Sequence, residues 1–159
     1  TGPNYDDHDF SYDEIHLEVK TTTTHPPSIH ISNARQMYSI EPIQLKLVII
    51  QIREGEGESL PEIVKSVGTG MEPEEKTRFT GLLNAMGYFE EDSMAYTEKY
   101  EVTRASALNI TDSSPVITRE VGGLLPKNVV GIKYVLDLTG ISMENMGADK
   151  WSEICRLTY

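Results

Sequence analysis

The stretch Asp9-Phe10-Ser11-Tyr12-Asp13-Glu14-Ile15-His16-Leu17-Glu18-Val19-Lys20 decides the fold, because polar and apolar residues alternate in it on both sides of a short acidic turn. Side chains of a strand point alternately to its two faces. The second half therefore places three apolar side chains on one face: Ile15, Leu17 and Val19. The opposite face carries three polar ones: His16, Glu18 and Lys20. Glu18 and Lys20 are thus expected to be neighbours on one face of a strand.

The two alternating halves predict a β-hairpin with a two-residue loop at Asp13-Glu14. In that register the opposed pairs are Phe10 with Leu17, Ser11 with His16, and Asp9 with Glu18. A slip of one residue would turn Phe10 to the polar face, so the apolar pattern favours this pairing. Directly opposed Cβ atoms lie roughly 4.5 to 5.5 Å apart in antiparallel pairs. Two carboxylates are therefore expected side by side.

Facing carboxylates repel each other unless a cation lies between them. A hard divalent ion such as Mg2+ takes oxygen ligands of this kind and keeps several waters. Such an ion polarises a phosphoryl oxygen and lowers the pKa of a bound water, while Lys20 is placed to orient or deprotonate that water and to offset negative charge. The alternative interpretation is a solvated polar face on which Asp9, Glu18 and Lys20 cluster without function.

An acid-x-Lys triplet is weak evidence when it stands alone. With 25 acidic residues and 8 lysines in 159 positions, about one such triplet is expected by chance. Glu74-Glu75-Lys76 is a triplet of that sort. What distinguishes Glu18-Val19-Lys20 is its place on an alternating strand behind Asp9.

Residues 8 to 37 resemble the PD-(D/E)XK nuclease superfamily. The resemblance rests on Asp9, then eight residues, then Glu18-Val19-Lys20, a short strand at Ser28-Ile29-His30-Ile31-Ser32 and a helix that opens Asn33-Ala34-Arg35-Gln36-Met37. More narrowly, the segment is similar to an uncharacterised bacterial group of that superfamily. The pattern of that group runs His-Asp-Phe, Glu-Val-Lys, and His-Ile-Ser leading to Arg-Gln. Beyond residue 37 the likeness is one of pattern, with apolar strands at Leu45 to Ile52 and around Lys133 to Leu138.

The resemblance implies a metal-dependent nuclease site. Its implied metal ligands are Asp9, Glu18 and Val19. Its implied catalytic residues are Asp9, Glu18, Lys20 and Gln36. Mg2+ is the implied cofactor, with Mn2+ as a substitute, and DNA is the implied substrate.

Two further residues are candidates for substrate binding, because they lie close to Lys20 in sequence. Arg35 is expected to contact a phosphate, and His30 is expected either to face the same cleft or to be a satisfied residue of the sheet. The chain has His8 where the superfamily has the proline that gives it its name. This departure does not exclude the superfamily.

The resemblance also implies an α/β fold with a mixed central β-sheet flanked by helices, a restriction-endonuclease-like core. That core begins with a helix, but here the first motif strand lies within ten residues of Thr1, so the first helix is expected to be missing. Since the chain starts without Met, we expect the carboxyl-terminal part of a longer polypeptide. The length favours a single domain over residues 1–159. The upstream part or a partner subunit is expected to complete the domain, and a homodimer is a reasonable expectation.

The composition limits the cellular setting and the partners. A single cysteine allows no internal disulfide, which fits a reducing cytoplasm, and no apolar run approaches the length of a membrane span. The formal net charge of −11 argues against an independent DNA binder, because phosphates are neutralised by Lys and Arg. Bound metal ions, a local cluster of basic residues or the upstream segment would each resolve this conflict.

All four histidines, His8, His16, His25 and His30, lie in the first 30 residues and raise a second enzyme class, a zinc hydrolase. The spacing does not favour it. No pair has helical i, i+4 spacing, no cysteine accompanies them, and alternation puts His8 and His16 in different rows.

Other patterns predict structural elements. A capping box at Ser59-Leu60-Pro61-Glu62 predicts a helix to about Val67, and Glu72 to Met86 predicts an amphipathic helix. Its predicted core residues are Phe79, Leu82, Leu83 and Met86. Strands are predicted at Tyr96 to Leu108 and Val129 to Leu138, and a closing helix or coil at Ala148 to Leu157.

Taken together, the sequence predicts a Mg2+-dependent deoxyribonuclease, which the resemblance places in prokaryotic restriction or defence. The alternative is a catalytically inactive member of the same fold that positions DNA or binds another subunit.

Overall fold

The computed structural model describes residues 7–39, 41–147 and 149–150 of the 159-residue chain. These described residues form two compact units, one that lies within residues 1–52 and 103–159 and one that spans Arg53–Val102. The predicted closing element at Ala148 to Leu157 lies almost wholly outside the described residues.

A five-stranded mixed sheet confirms the predicted α/β class. Its strands, in spatial order, are β1 (Phe10–Ser11), β2 (Ile15–Thr22), β4 (Gln44–Ser59), β5 (Lys99–Asn109) and β7 (Glu144–Asn145). The first pair is antiparallel, β2 and β4 are parallel, and the last pair is antiparallel. A second, two-stranded antiparallel sheet joins β3 (Ser28–Ile31) to β6 (Tyr134–Asp137).

The predicted hairpin register is confirmed where β1 pairs with β2. Phe10 opposes Leu17 and Ser11 opposes His16, and the Tyr12 amide donates to the carbonyl of Ile15 across the two-residue loop. Burial does not follow the apolar pattern completely, because Phe10 remains 50% exposed. These two residue pairs set the register of the hairpin, and this register brings Asp9 close to Glu18 and Val19.

The central strands β2 and β4 have different apolar clusters on their two faces. One cluster contains Leu17 and Val48, with Ile15 and Val19 packed against it. The other cluster contains alternate residues of β4, Leu45, Leu47 and Ile49, packed with the β3 and β6 sheet. Glu18 pairs with Leu47 in the parallel register, so its side chain emerges on this second, covered face.

The unit Arg53–Val102 contains the two longer helices, α1 (Leu60–Val67) and α2 (Pro73–Ala85). The predicted capping box is present, since Glu62 accepts from the Ser59 amide at 2.7 Å. The prediction that α2 buries a core stripe is wrong, because neither helix has a fully buried residue and Met86 is 61% exposed. A short helix α3 (Arg119–Gly123) lies in the other unit.

Several predicted boundaries move in the structure. The predicted strand at Leu45 to Ile52 continues to Ser59, and the late strand shortens to Tyr134–Asp137. The helix predicted to open at Asn33 is a single 3-10 turn, Ala34–Met37, and the Asn33 side chain caps it by accepting from the Arg35 amide. No helix within the described part of the chain is long and apolar enough to cross a bilayer.

Candidate active site

Glu18 is a fully buried carboxylate, with no solvent exposure. Strand β2 presents it to the face that is covered by the β3 and β6 sheet, where a leucine or isoleucine would be ordinary. Its Oε1 atom lies 2.5 Å from the Lys20 ammonium nitrogen. Its Oε2 atom accepts no hydrogen bond from the described residues. Because a buried charge is costly unless it is well partnered, a carboxylate with an unused oxygen at this position calls for a functional explanation.

Lys20 and Gln36 extend the site from the sheet to the 3-10 turn. The Lys20 ammonium donates to Gln36 Oε1 at 3.3 Å, and the Ser32 hydroxyl donates to the same oxygen at 3.1 Å. Gln36 is only 2% exposed. The turn that follows β3 thus fixes an amide oxygen next to the lysine, which holds the ammonium in one place.

Asp9 lies at the edge of β2, just before β1 begins. Its Oδ2 atom accepts a hydrogen bond from the Val19 amide at 2.9 Å. The pairing of β1 with β2 ends at Phe10 and Leu17. The next outward-facing amide of β2, that of Val19, therefore donates to the Asp9 side chain and not to a strand. The sequence predicted that Asp9 lies opposite Glu18. In the structure, the Asp9 carboxylate binds the amide of the next residue, Val19.

The electrostatics of the site centre on Glu18. Burial raises the pKa of its carboxyl above the ordinary value of 4.5, the Lys20 ammonium opposes this rise, and the negative charge of Asp9 adds to it. The Asp9 carboxylate, which accepts from the amide of Val19, the residue after Glu18, thus disfavours the ionised form of Glu18. A carboxyl with a raised pKa beside a second carboxylate is the arrangement that a bound cation would relieve.

A hard divalent ion at this site would be held by few protein ligands. Such an ion would take carboxylate oxygens from Asp9 and Glu18, and Val19 has only its backbone carbonyl to offer. Within the described ranges, no group of three or more His, Cys, Asp or Glu side chains forms a metal cage. A site with two carboxylates would therefore leave the other positions to water, as Mg2+ usually does.

The two predicted substrate-binding residues lie outside this buried cluster. The Arg35 side chain is 63% exposed and forms an ion pair with Asp7 at 2.9 Å. His30 is exposed on β3, where it alternates with the buried residues Ile29 and Ile31. Alternation turns His30 away from the core that Ile29 and Ile31 enter, so the structure does not bring it to Lys20.

The expectation that His8 and His16 lie in different rows is wrong, because their Nδ1 atoms are 3.0 Å apart. His8 lies before β1 and is 8% exposed. Burial lowers the pKa of His8, and the neighbouring His16 lowers it further. Strand alternation gave no signal for this pair, because residue 8 precedes the paired part of the hairpin.

A mixed sheet that carries an acidic residue before one strand and Glu-x-Lys on the next defines a protein of the PD-(D/E)XK type. Residues 1–139 match the family model described as "Putative PD-(D/E)XK family member". The chain belongs to this family. Comparison with curated proteins and with solved structures finds no match.

Proposed function

We propose that this chain is a metal-dependent deoxyribonuclease in which Asp9 and Glu18 hold a divalent cation and Lys20 acts at the phosphate. The observation that carries this proposal is the buried Glu18 carboxylate, which is paired with Lys20 and is followed in the strand by Val19, whose amide donates to the Asp9 carboxylate. A purely structural role is a poor explanation, since a buried ion pair seldom stabilises a fold more than apolar residues of similar volume would.

Each side chain has a distinct role in the proposed reaction. A bound Mg2+ or Mn2+ would polarise the phosphoryl oxygen and lower the pKa of a water. Lys20, held by Glu18 and Gln36, places a positive charge where negative charge develops on the phosphate. Gln36 is a positioning residue, since its side-chain oxygen accepts from Lys20. Arg35 is the exposed cation for a neighbouring phosphate.

The uneven distribution of charge weakens the objection that the net value of −11 raises against DNA as the substrate. The unit Arg53–Val102 has twelve acidic and five basic residues, so it carries −7 of that total. The unit that contains Asp9, Glu18 and Lys20 therefore carries only −4. Phosphate binding needs local positive charge and is not decided by the sum over the chain.

We extend the proposal to a role in prokaryotic restriction or defence, with the protein acting in the cytoplasm as a homodimer. The support for this extension is the family membership alone. A dimer would supply two active sites, one for each strand of a duplex.

Cleavage of supercoiled plasmid and of linear duplex in Mg2+ or Mn2+ tests the activity. We expect Asp9→Ala, Glu18→Gln and Lys20→Ala each to abolish cleavage. The matched controls are Glu74→Ala and Lys76→Ala, which change the exposed acid-x-Lys triplet of α2 and should leave cleavage unchanged.

Calorimetric titration with Mn2+ separates the outcomes. Mn2+ binding that depends on Asp9 and Glu18, without cleavage of any DNA, would assign the inactive alternative, a DNA-positioning or interaction module. Absence of both metal binding and cleavage would overturn the proposal.

A further inference from the structure

His8, which precedes Asp9 in the chain, and His16, near the start of β2, bring two imidazole rings together. Their Nδ1 atoms are 3.0 Å apart, their ring centroids are 5.0 Å apart, and the ring planes are tilted by 55°. The same nitrogen of each ring therefore lies within reach of the other ring. Two neutral imidazoles reach this distance in one of two ways, by sharing a proton in a hydrogen bond or by sharing a metal ion.

The separation of the two nitrogens suits a shared metal ion. Zn2+ binds histidine nitrogen at about 2.0 to 2.1 Å, so two ligands of one ion are about 3.0 Å apart at a right-angled bite and about 3.4 Å apart in a tetrahedron. The observed 3.0 Å lies at the lower end of that interval. A tetrahedral site requires the rings to separate by only a few tenths of an ångström.

The surroundings leave room for the remaining ligands. A cavity of about 180 Å³ adjoins both rings, and its polar lining includes Asp7, Ser11 and Ser39. A water molecule occupies about 30 Å³ in the liquid, so the cavity has space for the water ligands that a two-histidine site needs. Among the described residues no third His, Cys, Asp or Glu completes a cage, so solvent or a hydroxyl would fill the other positions.

We propose that His8 and His16 bind a divalent transition metal ion such as Zn2+ through their Nδ1 atoms. Imidazole nitrogen suits Zn2+, Ni2+ and Cu2+, whereas Mg2+ prefers the carboxylate oxygens of Asp9 and Glu18. The two metal sites are therefore chemically distinct. A metal at the histidines would tie the segment before β1 to β2, and it would hold Asp9, the residue that follows His8, against the strand.

Calorimetric titration of the full chain with Zn2+ tests the inference, with Co2+ as a spectroscopic probe. We expect one Zn2+ per chain for the wild-type protein and for Asp9→Asn. His8→Gln and His16→Gln should each weaken Zn2+ binding more than tenfold. The matched control is His30→Gln, which removes an exposed histidine from β3 and should not change the affinity.

Imidazole nitrogen NMR of the wild-type protein gives a second measurement that does not depend on the variants folding. Added Zn2+ should shift the Nδ1 resonances of His8 and His16 together, at one equivalent, and leave those of His30 in place. Unchanged resonances would show that the pair is only a hydrogen bond and would overturn the inference. Loss of Zn2+ binding in Asp9→Asn to the same extent as in the histidine variants would also overturn it, because the ion would then lie at the carboxylates. Neither measurement requires nuclease activity.

Discussion

Replacement of Lys20 by methionine isolates the electrostatic feature on which the site depends. The substitution keeps most of the apolar stem and removes the ammonium that lies 2.5 Å from Glu18 Oε1. Loss of one partner of a buried ion pair costs about 3 to 5 kcal/mol, because the other charge is left uncompensated. Since the Lys20 side chain is 16% exposed and water tempers the loss, we expect about 3 kcal/mol at pH 8.

The loss of stability in Lys20→Met should depend on pH, in a direction set by the pKa of Glu18. Its pKa is raised by burial, so the folded state holds the proton more tightly than the unfolded state does. The free energy of unfolding therefore falls as the pH rises from 4.5, the unfolded value, to the raised folded value. Removal of Lys20 raises the pKa of Glu18 in the folded state further. At a pH above that pKa, each added pKa unit lowers the free energy of unfolding by about 1.4 kcal/mol. Below pH 4.5 the penalty of Lys20→Met should nearly vanish.

Urea unfolding at pH 5 and pH 8 measures this penalty by linear extrapolation. The same substitution in a Glu18→Gln background should cost less than about 1 kcal/mol, since no buried charge is left behind. Lys76→Met, at an exposed position of α2, is the control and should stay within about 0.5 kcal/mol of wild type. An equal penalty at both pH values, or an equal penalty in the Glu18→Gln background, would refute the reasoning.

Three further predictions concern the metal, the packing and the surface electrostatics. Mg2+ at 10 mM should stabilise the wild-type protein by about 1.4 kcal/mol if the dissociation constant is about 1 mM, and a thermal scan should show no such shift in Glu18→Gln. Gly57→Ala should cost about 3 kcal/mol in urea unfolding, because its Cβ would fall on the backbone of a neighbouring strand, whereas Gly81→Ala in α2 meets nothing and should not destabilise. The Lys99 ammonium and the Ser59 amide lower the pKa of Glu62 to about 2, so the stability that Glu62 contributes is complete above pH 4.5 and lost as the pH falls toward 2. Carboxyl NMR titration should show this pKa move back up in Lys99→Met; an unchanged value would exclude the ion pair as its main cause.

The sequence by itself determined the local features of the site. Strict alternation assigned Glu18 and Lys20 to one face of β2, and the apolar register set the hairpin that places Asp9 nearby. The capping box likewise predicted α1 with its first residue. These features depend on residues two to ten positions apart in the chain. Strand alternation and helix capping act over such short separations, so the sequence alone predicts them.

Only the tertiary structure decided how deeply these residues lie and which of them meet. The β3 and β6 sheet, whose strands are more than 100 residues apart in the chain, covers the polar face of β2 and buries Glu18 completely. The chain before β1 brings His8 onto His16, although strand alternation had separated them. Burial and close approach arise from long-range packing, so periodicity could assign Glu18 to a face but could not tell whether that face meets water or protein.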